Sequence, residues 1–143
     1  MKNLFIVLVV AFALMSCTTK EPAQPVSPID EVKTQEVLDH HLKAFKENDL
    51  DATMADYTEE SILVTPNATS RGLAEIRKGF EGAFATFPKD SSTLDITKTV
   101  IVQDMAYIIW TSKGPKVEVT YGTDTFIIRD GKIVRQTFAG AMK

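Results

Sequence analysis

At Pro88 the spacing of apolar residues changes, and nothing else in the chain constrains the fold as strongly. Before it, apolar side chains recur at three- and four-residue steps, the period of a helix with one buried face. After it they crowd into runs rich in β-branched and aromatic residues, as in strands. Helices followed by an unbroken series of strands define an α+β domain in which helices cover one face of a mainly antiparallel sheet.

The helical half reads in three pieces. Residues 29–48 place Val32, Val37, Leu38, His41, Leu42 and Phe45 on one face, with Asp30 as the N-cap. Leu50, Met54 and Tyr57 give a shorter helix ending near Thr58, and Ser61 to Thr65 a short strand closed by Pro66-Asn67. A third helix runs from Gly72 to Phe87 through Leu73, Ile76, Phe80 and Phe84, stopped by Pro88. Strands are predicted over 94–103, 105–113, 117–129 and 132–142, with Gly114-Pro115 and Asp130-Gly131 as turns.

The N-terminus carries a separate message. Lys2 precedes an apolar run from Leu4 to Met15, which ends at Ser16-Cys17. A dozen apolar residues reach only about 18 Å as a helix, against a hydrocarbon core of about 30 Å, so the run reads as a leader and not as a span. Leu14-Met15-Ser16-Cys17 resembles the lipobox of bacterial lipoproteins. That resemblance implies cleavage of residues 1–16 and lipid attachment at Cys17, the only cysteine, anchoring the chain in the cell envelope. Thr18 stands where an Asp would imply inner-membrane retention, so the outer membrane is expected. Residues 17–28 hold Pro22, Pro25 and Pro28 among small polar neighbours and read as a solvated tether, leaving 29–143 as one domain.

A net charge of −3, with no basic cluster, argues against nucleic acid as a partner. No Gly-rich phosphate loop, nucleophile elbow or paired metal-ligand spacing is present, and no cofactor or metal is expected.

The order of elements, with three local matches, resembles the nuclear transport factor 2-like cone, in particular its SnoaL-like and ketosteroid isomerase branch. The matches are Asn48-Asp49-Leu50-Asp51-Ala52 with Tyr57-Thr58-Glu59-Glu60, Arg71-Gly72-Leu73-Ala74-Glu75-Ile76-Arg77, and Asp124-Thr125-Phe126-Ile127-Ile128-Arg129-Asp130-Gly131-Lys132-Ile133. The resemblance implies a strongly curved sheet wrapped around a pocket. It also places His41 where the isomerases have an oxyanion-binding Tyr, and Asp124 where they have a second, carboxylic acid donor. Their general base falls on Thr65, whose hydroxyl cannot abstract a carbon-bound proton, so isomerase chemistry does not carry over at that position.

The candidate site residues follow from faces. His41 is either a hydrogen-bonded core residue or a pocket acid, base or ligand donor, whereas His40, one step round the helix, reads as a surface residue. Adjacent residues diverge by about 100°, so the two do not converge on a zinc ion. Asp124 shares a strand face with Phe126 and Ile128, either as a buried acid or as a structural Asp. An ideal Asp130-Gly131 hairpin puts Arg135 beside Asp124. A bulge puts Gln136 and Phe138 there instead, as the resemblance implies. Tyr57, Thr65, Phe80, Trp110, Gln136 and Phe138 are the candidate ligand contacts. Ala106, Ile108 and Trp110 should share the inner face, with Tyr107 and Ile109 on an outer face suited to a homodimer. Three functions remain open: binding of a small hydrophobic molecule, proton-transfer enzymology by His41 and Asp124, and a protein-interaction module with a filled interior.

Overall fold

The computed structural model describes residues 28–143; the leader, Cys17 and most of the tether lie outside the described residues. The elements run α1 (Glu31–Lys46), α2 (Leu50–Met54), β1 (Ile62–Thr65), β2 (Ala68–Arg71), α3 (Gly72–Thr86), a 3-10 turn (Lys89–Ser91), β3 (Thr93–Val102), β4 (Met105–Lys113), β5 (Glu118–Arg129) and β6 (Lys132–Met142). They form one six-stranded sheet, in the order β2-β1-β6-β5-β4-β3, antiparallel throughout except where β1 runs parallel to β6. The expected α+β architecture, three helices on a curved sheet, is the one observed.

Helix α1 starts where Asp30 accepts hydrogen bonds from the backbone N–H of Val32, at 2.9 Å, and of Lys33, at 3.4 Å. Its buried face is Thr34, Val37, Leu38, His41 and Ala44. Val32 is not part of it and stands 67 % exposed. Nine residues at about 100° each carry Val32 to the side opposite His41. Asn48, at φ 51°, ends the helix in the left-handed region. Its amide donates to the carbonyls of Phe45 and Phe87 while accepting from the Lys89 N–H at 2.7 Å, which locks the α1–α2 corner to the end of α3.

Strand β2 is absent from the sequence reading for a physical reason. Ala68-Thr69-Ser70-Arg71 is polar and largely exposed, so it shows no apolar alternation and owes its conformation to pairing with β1 across Pro66-Asn67.

Curvature comes from register shifts. They lie between Ile96 and Lys98 in β3, Trp110 and Ser112 in β4, Val119 and Tyr121 in β5, and at Ile127 and Ile128 against β6. The last resolves the alternative left open by the hairpin. Asp130 and Gly131, at φ 51° and 71°, make the turn. The extra residue in β6 then pairs Ile127 with Arg135 and Phe126 with Gln136. Gln136 is therefore buried beside Asp124, and Arg135 is turned out, donating to the Glu60 carbonyl. Ala106, Ile108, Trp110, Phe126, Ile128 and Ile133 build the sheet side of the core against Leu38, Ile76 and Phe80 of the helices. Tyr107 and Ile109 lie half-buried on the other face.

Candidate functional site

Between the helices and the concave sheet lies a cavity of about 420 Å³. Leu42, Phe45, Phe80, Trp110, Phe126 and Phe138 give it apolar walls, and Leu94 and Ile96 extend them along β3. Its polar end is made by His41 from α1, Asp124 from β5 and Gln136 from β6.

Asp124 organises that end. Its carboxyl group, 6 % exposed, accepts the Trp110 indole N–H on Oδ2 at 2.7 Å and the Gln136 amide N–H on Oδ1 at 2.8 Å. The Tyr57 hydroxyl donates in turn to the Gln136 amide oxygen. Tyr57, Gln136, Asp124 and Trp110 thus form one directed chain of hydrogen bonds from the α2 side of the molecule to the cavity wall. Burial pushes the Asp124 carboxyl above its ordinary value, with the two hydrogen bonds and nearby His41 opposing the shift. The Tyr57 hydroxyl is pushed well above its ordinary value by burial first and then by the charges of Asp124 and Asp56, so it stays a donor.

Trp110 is held on three sides. It bonds to Asp124, stacks on Phe138 with ring centroids 5.6 Å apart, and lies flat over Gly122, its cross-strand partner. A Cβ at Gly122 would meet indole carbons at 2.6 to 2.9 Å, so only glycine lets the ring pass this close.

His41 is 2 % exposed and sits edge-on to Tyr57, Phe80 and Phe126 at 5.4 to 5.7 Å. Its Nδ1 faces Oδ2 of Asp56 at 3.3 Å, while Nδ1 of His40 lies 2.8 Å from Oδ1 of the same carboxylate. His40 is therefore more than a surface residue: half exposed, it reaches inward to a buried acid. Asp56 itself went unnoticed in the sequence. An acid just past α2 has no spacing relation to the histidines of α1, and only the α1–α2 corner brings them together.

The remaining candidates divide cleanly. Phe80, Trp110, Gln136 and Phe138 line the cavity, as does Thr65. The Thr65 hydroxyl is engaged in the β1–β2 turn, donating to the Ala68 carbonyl and accepting from the Asn67 and Ala68 N–H groups. Tyr57 lies behind the wall and bears on the cavity through Gln136. Among the described residues, no three His, Cys, Asp or Glu side chains gather closely enough to hold a metal ion. A larger concavity, of about 830 Å³, lies where α1 begins, against the loops around Asp104 and Asp130. Two of its acids are already committed, Asp30 to the helix cap and Asp104 to Arg129.

A helix-covered, curved sheet around an apolar cavity with an ordered polar end defines the cone class of α+β pocket proteins. The chain belongs to the SnoaL-like domain family, whose profile matches residues 38–136. Solved structures agree in fold. A candidate ketosteroid isomerase from Kribbella flavida superposes with a TM-score of 0.67 at 15% identity, covering 79% of this chain and 81% of its own. A candidate polyketide cyclase from Sinorhizobium meliloti gives 0.65 at 19% identity, over 77% and 99%. A SnoaL-like protein of unknown function from Burkholderia thailandensis gives 0.64 at 17%, over 80% and 98%. Comparison with curated proteins gave no match.

Proposed function

We propose that this SnoaL-like domain binds a small hydrophobic molecule in its cone cavity, as a lipid-anchored protein of the bacterial cell envelope. One observation carries the binding reading: an apolar cavity of about 420 Å³ ends in a carboxylate already positioned by an indole and an amide. That size, and few but convergent polar groups, is what small-molecule sites share. Binding is favoured over proton transfer because both oxygens of Asp124 already accept hydrogen bonds, and the hydroxyl of Thr65 is taken up by a turn. An open cavity also favours it over an interaction module with a filled interior.

Trp110 is the only tryptophan and lies in the wall, so it reports occupancy directly. Titration with a panel of fused-ring hydrophobic molecules should give a saturable change in its emission. The fold should gain about 2.7 kcal/mol at a ligand concentration 100 times the Kd. A panel that moves neither the emission nor the melting temperature would leave the cavity without a binding role.

Anchoring rests on the leader and on Cys17, which has no other cysteine to pair with. Full-length protein expressed in a Gram-negative host should sediment with the outer-membrane fraction and resist washing with salt, whereas Cys17→Ser should be recovered in solution. Membrane recovery of the Cys17→Ser protein would refute the anchor.

A further inference from the structure

We infer that Asp56 holds His41 with its proton on Nδ1, so that the cavity offers its ligand an acceptor and selects molecules whose polar end is a hydroxyl or amine N–H rather than a carbonyl or carboxylate. This inference rests on the binding reading above and narrows it to a ligand class.

Two histidines share one buried carboxylate. Asp56, 6 % exposed, faces Nδ1 of His40 at 2.8 Å and Nδ1 of His41 at 3.3 Å, one on each oxygen. An ionised carboxylate only accepts hydrogen bonds, so the ring nitrogen turned towards it is the one that carries hydrogen. In a neutral imidazole the other nitrogen is then an acceptor. Nδ1 of His41 and Oδ2 of Asp56 are both fully buried without a hydrogen-bond partner, their 3.3 Å approach falling outside hydrogen-bond geometry, so each has only the other to face. Asp56 is not part of the cavity wall, whereas His41 is. Nε2, unlike Nδ1, is not among the fully buried unpartnered atoms, and on a residue that lines the cavity it is left for a ligand.

The neighbouring groups give the same polarity. The Tyr57 hydroxyl is spent on Gln136, and the Trp110 N–H and one amide N–H of Gln136 are spent on Asp124. At most the second amide N–H of Gln136 remains as a donor beside His41. The free positions are Nε2 and the unused lone pairs of Asp124, all acceptors. A carbonyl oxygen brought here finds almost nothing to bond, and a carboxylate meets the like charge of Asp124.

The test uses ¹⁵N-labelled protein with two probes of one shape, 2-naphthol and its methyl ether 2-methoxynaphthalene. Long-range ¹H–¹⁵N spectra at about pH 8.5, where free imidazole is neutral, should show His41 with Nδ1 protonated and Nε2 bare. The His40 signals are assigned by their loss in His40→Gln. The Trp110 indole N–H peak should then report 2-naphthol binding about tenfold more tightly than the ether, the worth of one hydrogen bond. In Asp56→Asn, whose amide can donate to Nδ1, the proton should move to Nε2 and the preference for 2-naphthol should vanish. A wild-type His41 protonated on Nε2 or on both nitrogens overturns the inference, whether or not the Asp56→Asn protein folds. Equal affinity for the two naphthalenes also overturns it. If neither naphthalene binds while His41 carries its proton on Nδ1, the binding role of the cavity fails and the tautomer stands.

Discussion

Replacing Gly122 with alanine should lower the melting temperature by roughly 10 °C, although the change adds one methyl group to a sheet. The new Cβ would sit 2.6 Å from Cε2 and 2.8 Å from Cδ2 of Trp110, well inside van der Waals contact. Elsewhere a side chain would swing aside. Here the indole is pinned by its 2.7 Å bond to Asp124 and by the ring of Phe138 stacked on it. Moving it costs overpacking of about 1–3 kcal/mol. Losing the charge-assisted hydrogen bond costs a further ~1.5–3 kcal/mol. Trp110 emission should shift as well, because the ring loses its partner. A melting temperature within about 2 °C of the parent's, worth under ~0.5 kcal/mol, with unchanged emission would show that the indole moves freely and that the glycine is incidental.

The same glycine marks where the sequence stops being legible. Alternation alone puts Ala106, Ile108 and Trp110 on one face of β4, and Asp124, Phe126 and Ile128 on one face of β5, because a period of two leaves no choice within a strand. That Gly122 lies opposite Trp110 depends on pairing register, which a single strand does not encode. The choice between Arg135 and Gln136 had the same character. One bulged residue in β6 inverts the parity of everything beyond it. Strand β2 escaped notice as a polar edge. Val32 is apolar without sharing the period: five, six and nine residues before Val37, Leu38 and His41, it lies about 120–180° from each of them round α1.

For the site, residue type served better than spacing. An Asp and a His among aromatic neighbours stand out as chemistry on an apolar face, and His41, Asp124, Gln136, Trp110 and Phe138 all line one cavity. Asp56 had no such mark. It lies 16 residues from His40 in sequence, and only the corner locked by Asn48 turns it back onto α1.

Asp124→Leu should be the most damaging single change at the polar end, and Asp124→Asn milder than it, because of the direction in which the hydrogen bonds run. Leucine leaves the Trp110 N–H and the Gln136 amide N–H buried without acceptors, at about 1–3 kcal/mol each. Relief from desolvating the carboxylate offsets part of this. Asparagine can keep its oxygen on Trp110 and turn its N–H₂ towards Gln136. The Gln136 amide then flips and presents its own N–H₂ to the Tyr57 oxygen, which accepts as readily as it donates. One buried donor, the Tyr57 O–H, then loses its Gln136 acceptor, so the cost should be about 1–3 kcal/mol, less than for leucine, which strands two donors. The pH dependence separates charge from geometry. Burial raises the Asp124 carboxyl above its ordinary value, so between that value and the raised one the folded chain holds a proton that the unfolded chain has released. Stability from this group is therefore full below the ordinary carboxylate pKa, about 3.9, and is lost as pH climbs through the raised value. Measured by denaturant unfolding across that window, the stability of wild type relative to Asp124→Asn should fall with rising pH. A relative stability that rises instead would mean that the indole and amide donors outweigh desolvation, making Asp124 an ionised anchor at every pH where the fold exists.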